Sequence, residues 1–189
     1  MIALRLAQDV GLDPVMALAG EFGITSPLKK TPGLVLGESE TRVMEMTSAY
    51  GAIANQGLWI QPHGITHIRD AGDCPDPDQL NTCREVYQAD QNAILQKQVV
   101  SPAIAATMTR FLQGVVDYGT GSAAQIGYGA GGKTGTTDNA VDLWFIGFLP
   151  QKHLVTGVWL GNDDSHPTKG SSTLAASLWN QYMRQVVAL

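Results

Sequence analysis

Residues 127–150 read GYGAGGKTGTTDNAVDLWFIGFLP. The first eight satisfy G-x-x-x-x-G-K-[ST], the nucleotide-binding P-loop pattern, and the middle holds the triplet Lys133-Thr134-Gly135. The fold turns on whether Lys133 opens a helix or lies in a strand. A P-loop follows a buried strand and opens a helix, so that amide N–H groups and the helix dipole meet phosphates. Upstream, residues 119–126 (GTGSAAQI) contain no run of branched apolar residues. Downstream come Gly135, three threonines, and then aromatic and β-branched residues, all poor helix material. Both flanks are wrong for a phosphate loop, and a chain with 21 glycines matches this pattern easily. Residues 133–137 are therefore read as a strand.

On a strand, Lys133, Gly135 and Thr137 face one way and Thr134 and Thr136 the other. Beside a reactive serine, each residue type has a use. An ammonium supplies field for a substrate carboxylate, and threonine hydroxyls hydrogen-bond it. A glycine lets an extended peptide lie against the strand. A backbone N–H just after the glycine can stabilise the oxyanion of acyl transfer.

Working outward, residues 142–150 and 153–161 read as two more strands, joined by short loops that favour antiparallel neighbours. Helical spacing appears over residues 2–11 and 40–57. A further helix is expected over 13–23, with Asp13 as its cap and Pro14 in its first turn. Residues 101–119 form the clearest helix, capped by Ser101 and opened by Pro102. Residues 172–189 close the chain with an amphipathic helix. Residues 58–70 alternate like a strand weakened by Pro62 and Gly64, and 70–84 read as loop. Helices, an antiparallel sheet and a terminal helix make a layered α/β domain.

The 189 residues carry a net charge of −5, with 44% apolar and 15% charged residues. This is globular composition, and an acidic balance without a basic run argues against a nucleic-acid partner. Lys29-Lys30 reads as a solvated loop. No stretch approaches the roughly 18–20 apolar residues of a membrane span. The first residues lack the basic head and clean apolar run of a signal peptide. Taken alone this suggests a cytoplasmic protein, an inference that fails if the chain is a piece of something longer. Cys74 and Cys83 enclose eight residues of loop composition. The pair reads as a disulfide in an oxidising compartment, the alternative being two free thiols. No metal site and no cofactor are expected. His63 and His67 would pair only on a helix, which Pro62 and Gly64 oppose. His153 and His166 have no partner by spacing. Asn162-Asp163-Asp164 reads as a turn in preference to a Ca²⁺ loop. Trp59, Trp144, Trp159 and Trp179 read as core or rim packing.

The segments LVLGESETRVMEMTSAYGAIANQG, PHGITHIRDAG, GVVDYGTGSAA, GGKTGTTDNAVDLWFIGFLP, GVWLGNDD and STLAASLWNQYM together resemble the C-terminal part of the transpeptidase domain of class A penicillin-binding proteins. That family carries S-x-x-K, S-x-N and K-T-G motifs. The resemblance implies a β-lactamase/transpeptidase-like α/β fold, with an antiparallel sheet flanked by helices and incomplete on its N-terminal side. It also implies one partial domain over residues 1–189. The implied chemistry is a serine acyl-enzyme D,D-transpeptidase that cross-links peptidoglycan on the outer side of the inner membrane. Stem peptide and β-lactams are the implied partners, and any membrane link runs through a segment absent here. By position, Lys133 is the motif lysine. Thr134, Gly135, Thr136 and Thr137 are the substrate-binding set, and the Thr136 amide is an oxyanion donor. Asp142, Trp144 and Phe145 are structural, and Gly119-Thr120-Gly121 shapes the groove rim.

Two motifs of the three are missing. The one S-x-x-K, Ser26-Pro27-Leu28-Lys29, lies in a proline-bracketed loop and falls in the wrong order, so it is read as a coincidence. No S-x-N or Y-x-N occurs, and the chain reads as beginning one or two residues beyond that motif. Without the serine and its lysine base, the chain alone is expected to be inactive. The alternatives are a non-catalytic or peptide-binding remnant of the same fold and, least favoured, a P-loop nucleotide-binding protein.

Overall fold

The computed structural model describes residues 2–76, 78–89 and 94–188. Two compact units emerge, one built from residues 1–59 and 98–189, the other from 60–97. In chain order the elements are α1 (Ile2–Val10), α2 (Leu12–Glu21), α3 (Val43–Ala54), β1 (Leu58–Ile60), β2 (His67–Asp70), β3 (Arg84–Gln88), β4 (Gln96–Gln98), α4 (Pro102–Asp117), β5 (Gly131–Thr136), β6 (Leu143–Leu149), β7 (Leu154–Leu160) and α5 (Ser172–Val187). Leu189, the last residue of the expected closing helix, and Pro77, in the expected loop, lie outside the described residues.

The larger unit is organised by an antiparallel sheet of order β5-β6-β7. Alternation along β6 sorts its side chains onto two faces. Phe145 and Leu149 meet Ala175, Ala176, Trp179 and Met183 of α5 in one buried cluster. The Phe145 and Trp179 rings meet edge-on at 5.4 Å. On the opposite face α3 covers β7: a methyl group on Gly157 would collide with the Thr47 hydroxyl and press tightly on Val43. A methyl group on Gly147 would come within 2.6 Å of the Trp179 ring. These two glycines therefore let helices approach both sides of the sheet. The result is the α/β layering expected from the sequence, with β5 left as an edge strand.

α4 begins as expected, with the Ser101 hydroxyl accepting from the Ile104 N–H and Pro102 at the helix start. α2 does not begin as expected. It starts at Leu12, directly after Gly11 (φ +85°), whose N–H closes α1 by donating to the Ala7 carbonyl. With α1 and α2 abutting, Asp13 falls inside the first turn, and it pairs with Lys30 at 2.7 Å instead of capping. The apolar stripe Ile2, Leu6 and Val10 of α1 is exposed, while Ala7 is buried.

In the smaller unit, β2 and β3 form an antiparallel ribbon with a register shift between Ile68 and Arg69. The strand expected across residues 58–70 is thus two strands, interrupted where Pro62 and Gly64 remove a donor and a side chain. β3 begins inside the stretch read as loop. Cys74 and Cys83 are joined by a disulfide, and Arg84 pairs with both Asp70 (2.8 Å) and Asp73 (2.9 Å). Among the described residues of this unit, only Cys83 is buried. A unit of this size without an apolar core depends on cross-links. Removing the disulfide by Cys74→Ser/Cys83→Ser should cost the unit about 3 kcal/mol. Limited proteolysis should then cut within residues 60–97 while the sheet-bearing unit stays intact; equal resistance of both units would contradict this.

Candidate functional site

Lys133, Thr134, Gly135 and Thr136 all lie on β5, facing Ile146, Phe145, Trp144 and Leu143 across the ladder. The eight-residue glycine pattern therefore runs into a strand, the opposite of the helix a phosphate loop requires. Lys133 is exposed, and its Nζ donates to the Thr134 carbonyl at 2.8 Å. Thr134 turns inward and is 9% exposed. Its hydroxyl shares a 2.7 Å hydrogen bond with that of Thr120. The turn at Gly119-Thr120-Gly121 reaches it because the Gly121 N–H donates to the Val115 carbonyl, folding the chain back onto α4. The sequence placed both threonines near the site but gave no sign that they bind each other.

The ladder determines which β5 amides are free. The Thr137 N–H donates to the Asp142 carbonyl at 3.1 Å, one step beyond the Thr136–Leu143 pair. In an antiparallel ladder, hydrogen-bonded and non-bonded pairs alternate. Thr136–Leu143 and Thr134–Phe145 are therefore non-bonded pairs, with N–H and C=O groups directed away from β6. Gly135 and Lys133 spend theirs on β6. The open edge of β5 thus presents the amides of Thr134 and Thr136, with the Lys133 ammonium beside them. Such an edge can take an extended peptide as an added strand and can direct an N–H at a developing oxyanion.

Thr137 has a different occupation. Its hydroxyl accepts from the Asp142 N–H (2.8 Å) and donates to Asp142 Oδ2 (3.2 Å). Asp142 Oδ1 accepts from the Trp159 indole N–H at 2.9 Å. Phe145 is fully buried and Trp144 half-buried. Among the remaining tryptophans, Trp179 is core and Trp159 lies at the rim, while Trp59 is half-buried.

The S-x-x-K sequence serves another purpose. Ser26 donates its hydroxyl to Glu45 Oε2 at 2.6 Å, and Thr25 donates to Oε1 at 2.5 Å. Arg42 lies 3.2 Å from Oε1. Lys29 is tied elsewhere through its backbone, which donates to the Ser39 hydroxyl. Ionised and held by several donors, the Glu45 carboxylate is too weak a base to activate the Ser26 hydroxyl near neutral pH. Burial pushes the Glu45 carboxyl up, but hydrogen bonds from the Ser26 and Thr25 hydroxyls and the Ser26 amide, with the Arg42 charge, outweigh it and hold the pKa at about 2. Because the folded value is depressed below 4.5, this stabilisation is present above pH 4.5 and is lost as pH falls through about 2. Its size is on the order of 1–3 kcal/mol, the lower end reflecting solvent screening. Acid titration of Glu45→Gln should show a lower plateau and no Glu45-linked loss in this window; unchanged stability at pH 7 would contradict it.

The histidines are local. His67 Nδ1 lies 2.9 Å from Glu85 Oε2 across the ribbon, and His63 Nδ1 lies 3.1 Å from the Gln61 carbonyl. His166 and Asp164 pair at 2.8 Å inside a turn whose Asn162 side chain donates to the His166 carbonyl. Among the described residues no helix is long and apolar enough to cross a membrane.

Residues 3–184 match the family model described as the penicillin binding protein transpeptidase domain. Penicillin-binding protein 1A of Rickettsia bellii is 37% identical over 174 residues, covering 86% of this chain and 22% of the relative. Penicillin-binding protein 1A of Neisseria meningitidis is 33% identical over 190 residues, covering 97% of this chain and 23% of the relative. The chain therefore spans under a quarter of the length of these relatives. Among solved structures, penicillin-binding protein 1A of Haemophilus influenzae superposes with a TM-score of 0.77 at 23% identity, over 99% of this chain and 32% of that one. Penicillin-binding protein A of M. tuberculosis, solved as an imipenem acyl-enzyme complex, superposes with a TM-score of 0.74 at 19% identity, over 98% of this chain and 45% of that one. These likenesses fix the fold as β-lactamase/transpeptidase-like. With the family model spanning nearly all of its residues and penicillin-binding proteins 1A as its sequence relatives, this chain belongs to the penicillin-binding protein transpeptidase family, on its class A side.

Proposed function

We propose that this chain supplies one wall of a serine acyl-enzyme D,D-transpeptidase site used in peptidoglycan cross-linking. The observation that carries the reading is the open edge of β5, where the outward Thr136 amide and the Lys133 ammonium lie within one strand. In this reading the Thr136 N–H donates to the oxyanion, and Lys133 provides field for the carboxylate of a stem peptide or β-lactam. Gly135 leaves clearance on the edge. Thr134 acts by fixing β5 through Thr120, and the Thr136 hydroxyl remains exposed for the carboxylate. Thr137 contributes through Asp142. Residues 1–189 form part of one transpeptidase domain, and the nucleophilic serine with its lysine base is supplied from outside these residues. In this reading the assembled site works on the extracytoplasmic side.

Fluorescent penicillin tests this reading. The 189-residue chain alone should form no covalent adduct. A penicillin-binding protein 1A of N. meningitidis whose matching segment is replaced by this chain should be labelled stably. Labelling of the isolated chain, abolished by Ser26→Ala, would overturn the assignment of the nucleophile. A folded chimera that resists acylation would favour the non-catalytic remnant. The P-loop reading predicts micromolar ATP affinity, which Lys133 in mid-strand opposes.

A further inference from the structure

The turn that follows β5 contains two left-handed residues and is braced by a residue far along the chain. Asn139 (φ +57°) and Ala140 (φ +53°) are both left-handed. Asparagine tolerates this region, but for Ala140 it is unfavourable and persists where the surroundings enforce it. Thr168 does the enforcing. Its N–H donates to the Ala140 carbonyl at 2.8 Å, and its hydroxyl donates to the Val141 carbonyl at 2.8 Å. That hydroxyl in turn accepts from the Asn162 side chain at 3.3 Å. Inside the turn, the Ala140 N–H donates to the Thr137 carbonyl, and Asp142 holds the Thr137 hydroxyl and amide. Thr168 therefore fixes two consecutive carbonyls of the turn between the end of β5 and the start of β6.

The register across this turn decides which amides face outward. If the turn relaxes by one residue, the alternation shifts and the Thr136 N–H turns toward β6. We infer that Thr168 is a positioning residue of the acyl-transfer site: it locks the Asn139–Ala140 turn and so keeps the Thr136 amide aimed out of the sheet edge. This rests on the transpeptidase reading above for its catalytic consequence, and on the hydrogen-bond geometry alone for its structural one.

The test uses the N. meningitidis chimera in three forms: unsubstituted, Thr168→Val and Thr168→Ser. Valine keeps the shape and the backbone donor but removes the hydroxyl; serine keeps both donors. In Thr168→Val, the acylation rate constant with penicillin should fall about tenfold while non-covalent affinity stays within twofold, and Thr168→Ser should restore the rate. A uniform change in affinity and rate, or no change, would overturn the proposal. Hydrogen exchange at the Thr137 amide provides a readout independent of chemistry. It should speed up in Thr168→Val and return to normal in Thr168→Ser. Unchanged exchange in Thr168→Val would defeat the inference even if the transpeptidase reading stood. A chimera that never reacts with penicillin, yet shows the exchange difference, would defeat the reading and leave the turn lock in place.

Discussion

Replacing Trp179 with alanine is expected to destabilise the sheet-bearing unit by about 3–5 kcal/mol, near the top of the range for a single core truncation. Trp179 is 0% exposed and meets Phe145, itself 0% exposed, edge-on. It also lies against the bare Cα of Gly147, so the space it vacates is bordered by backbone that cannot fold in. Its indole N–H has no hydrogen-bond partner among the described residues, so Trp179→Phe loses volume but no polar contact among them. That milder variant should cost under half as much. Chemical denaturation followed by far-ultraviolet circular dichroism measures both. Equal effects of the two substitutions would show that ring volume is not what Trp179 contributes.

Thr136→Pro should leave the fold intact and lower acylation of the chimera by about 10²–10³-fold, the scale of losing one oxyanion donor. Proline removes an N–H, and at Thr136 that N–H points away from β6. Sheet edges accept proline where the missing donor faces outward. Gly135→Pro is the contrast. It deletes an N–H that the ladder uses and should break the β5–β6 pairing itself. Circular dichroism with penicillin labelling separates the two outcomes. If Thr136→Pro unfolds the unit, or reacts at the unsubstituted rate, the edge assignment is wrong.

Much of this was legible in the sequence. Aromatic and β-branched runs announced β6 and β7, Ser101-Pro102 announced α4, and the flanks of Lys133 excluded a helix there. What escaped detection has a common physical origin: it depends on partners distant in the chain. β3 is exposed on both faces, so it shows no alternation to read. The Thr120–Thr134 hydrogen bond spans 14 residues and the Ser26–Glu45 bond 19. Neither spacing matches a helical or strand period. Thr137 looked like a substrate contact because its type fits one, and only the geometry shows its hydroxyl engaged by Asp142. Asp13 fits a cap by type, but the cap position was already taken by the end of α1.

The route of the chain between α3 and α4 has a consequence for how this domain tolerates change. The Val99 N–H donates to the Gly57 carbonyl at 2.9 Å, and the Gln98 side chain donates to the Gln56 carbonyl at 2.9 Å. The chain thus leaves the sheet-bearing unit and re-enters it at neighbouring points. Residues 60–97 should therefore be excisable as a cassette, with the gap between Trp59 and Gln98 bridged by a short turn, because closing such a gap carries little entropic cost; a deletion variant whose sheet-bearing unit unfolds would contradict this. Length variation among relatives should therefore concentrate in this cassette, while the spacing from α4 to α5 stays nearly fixed.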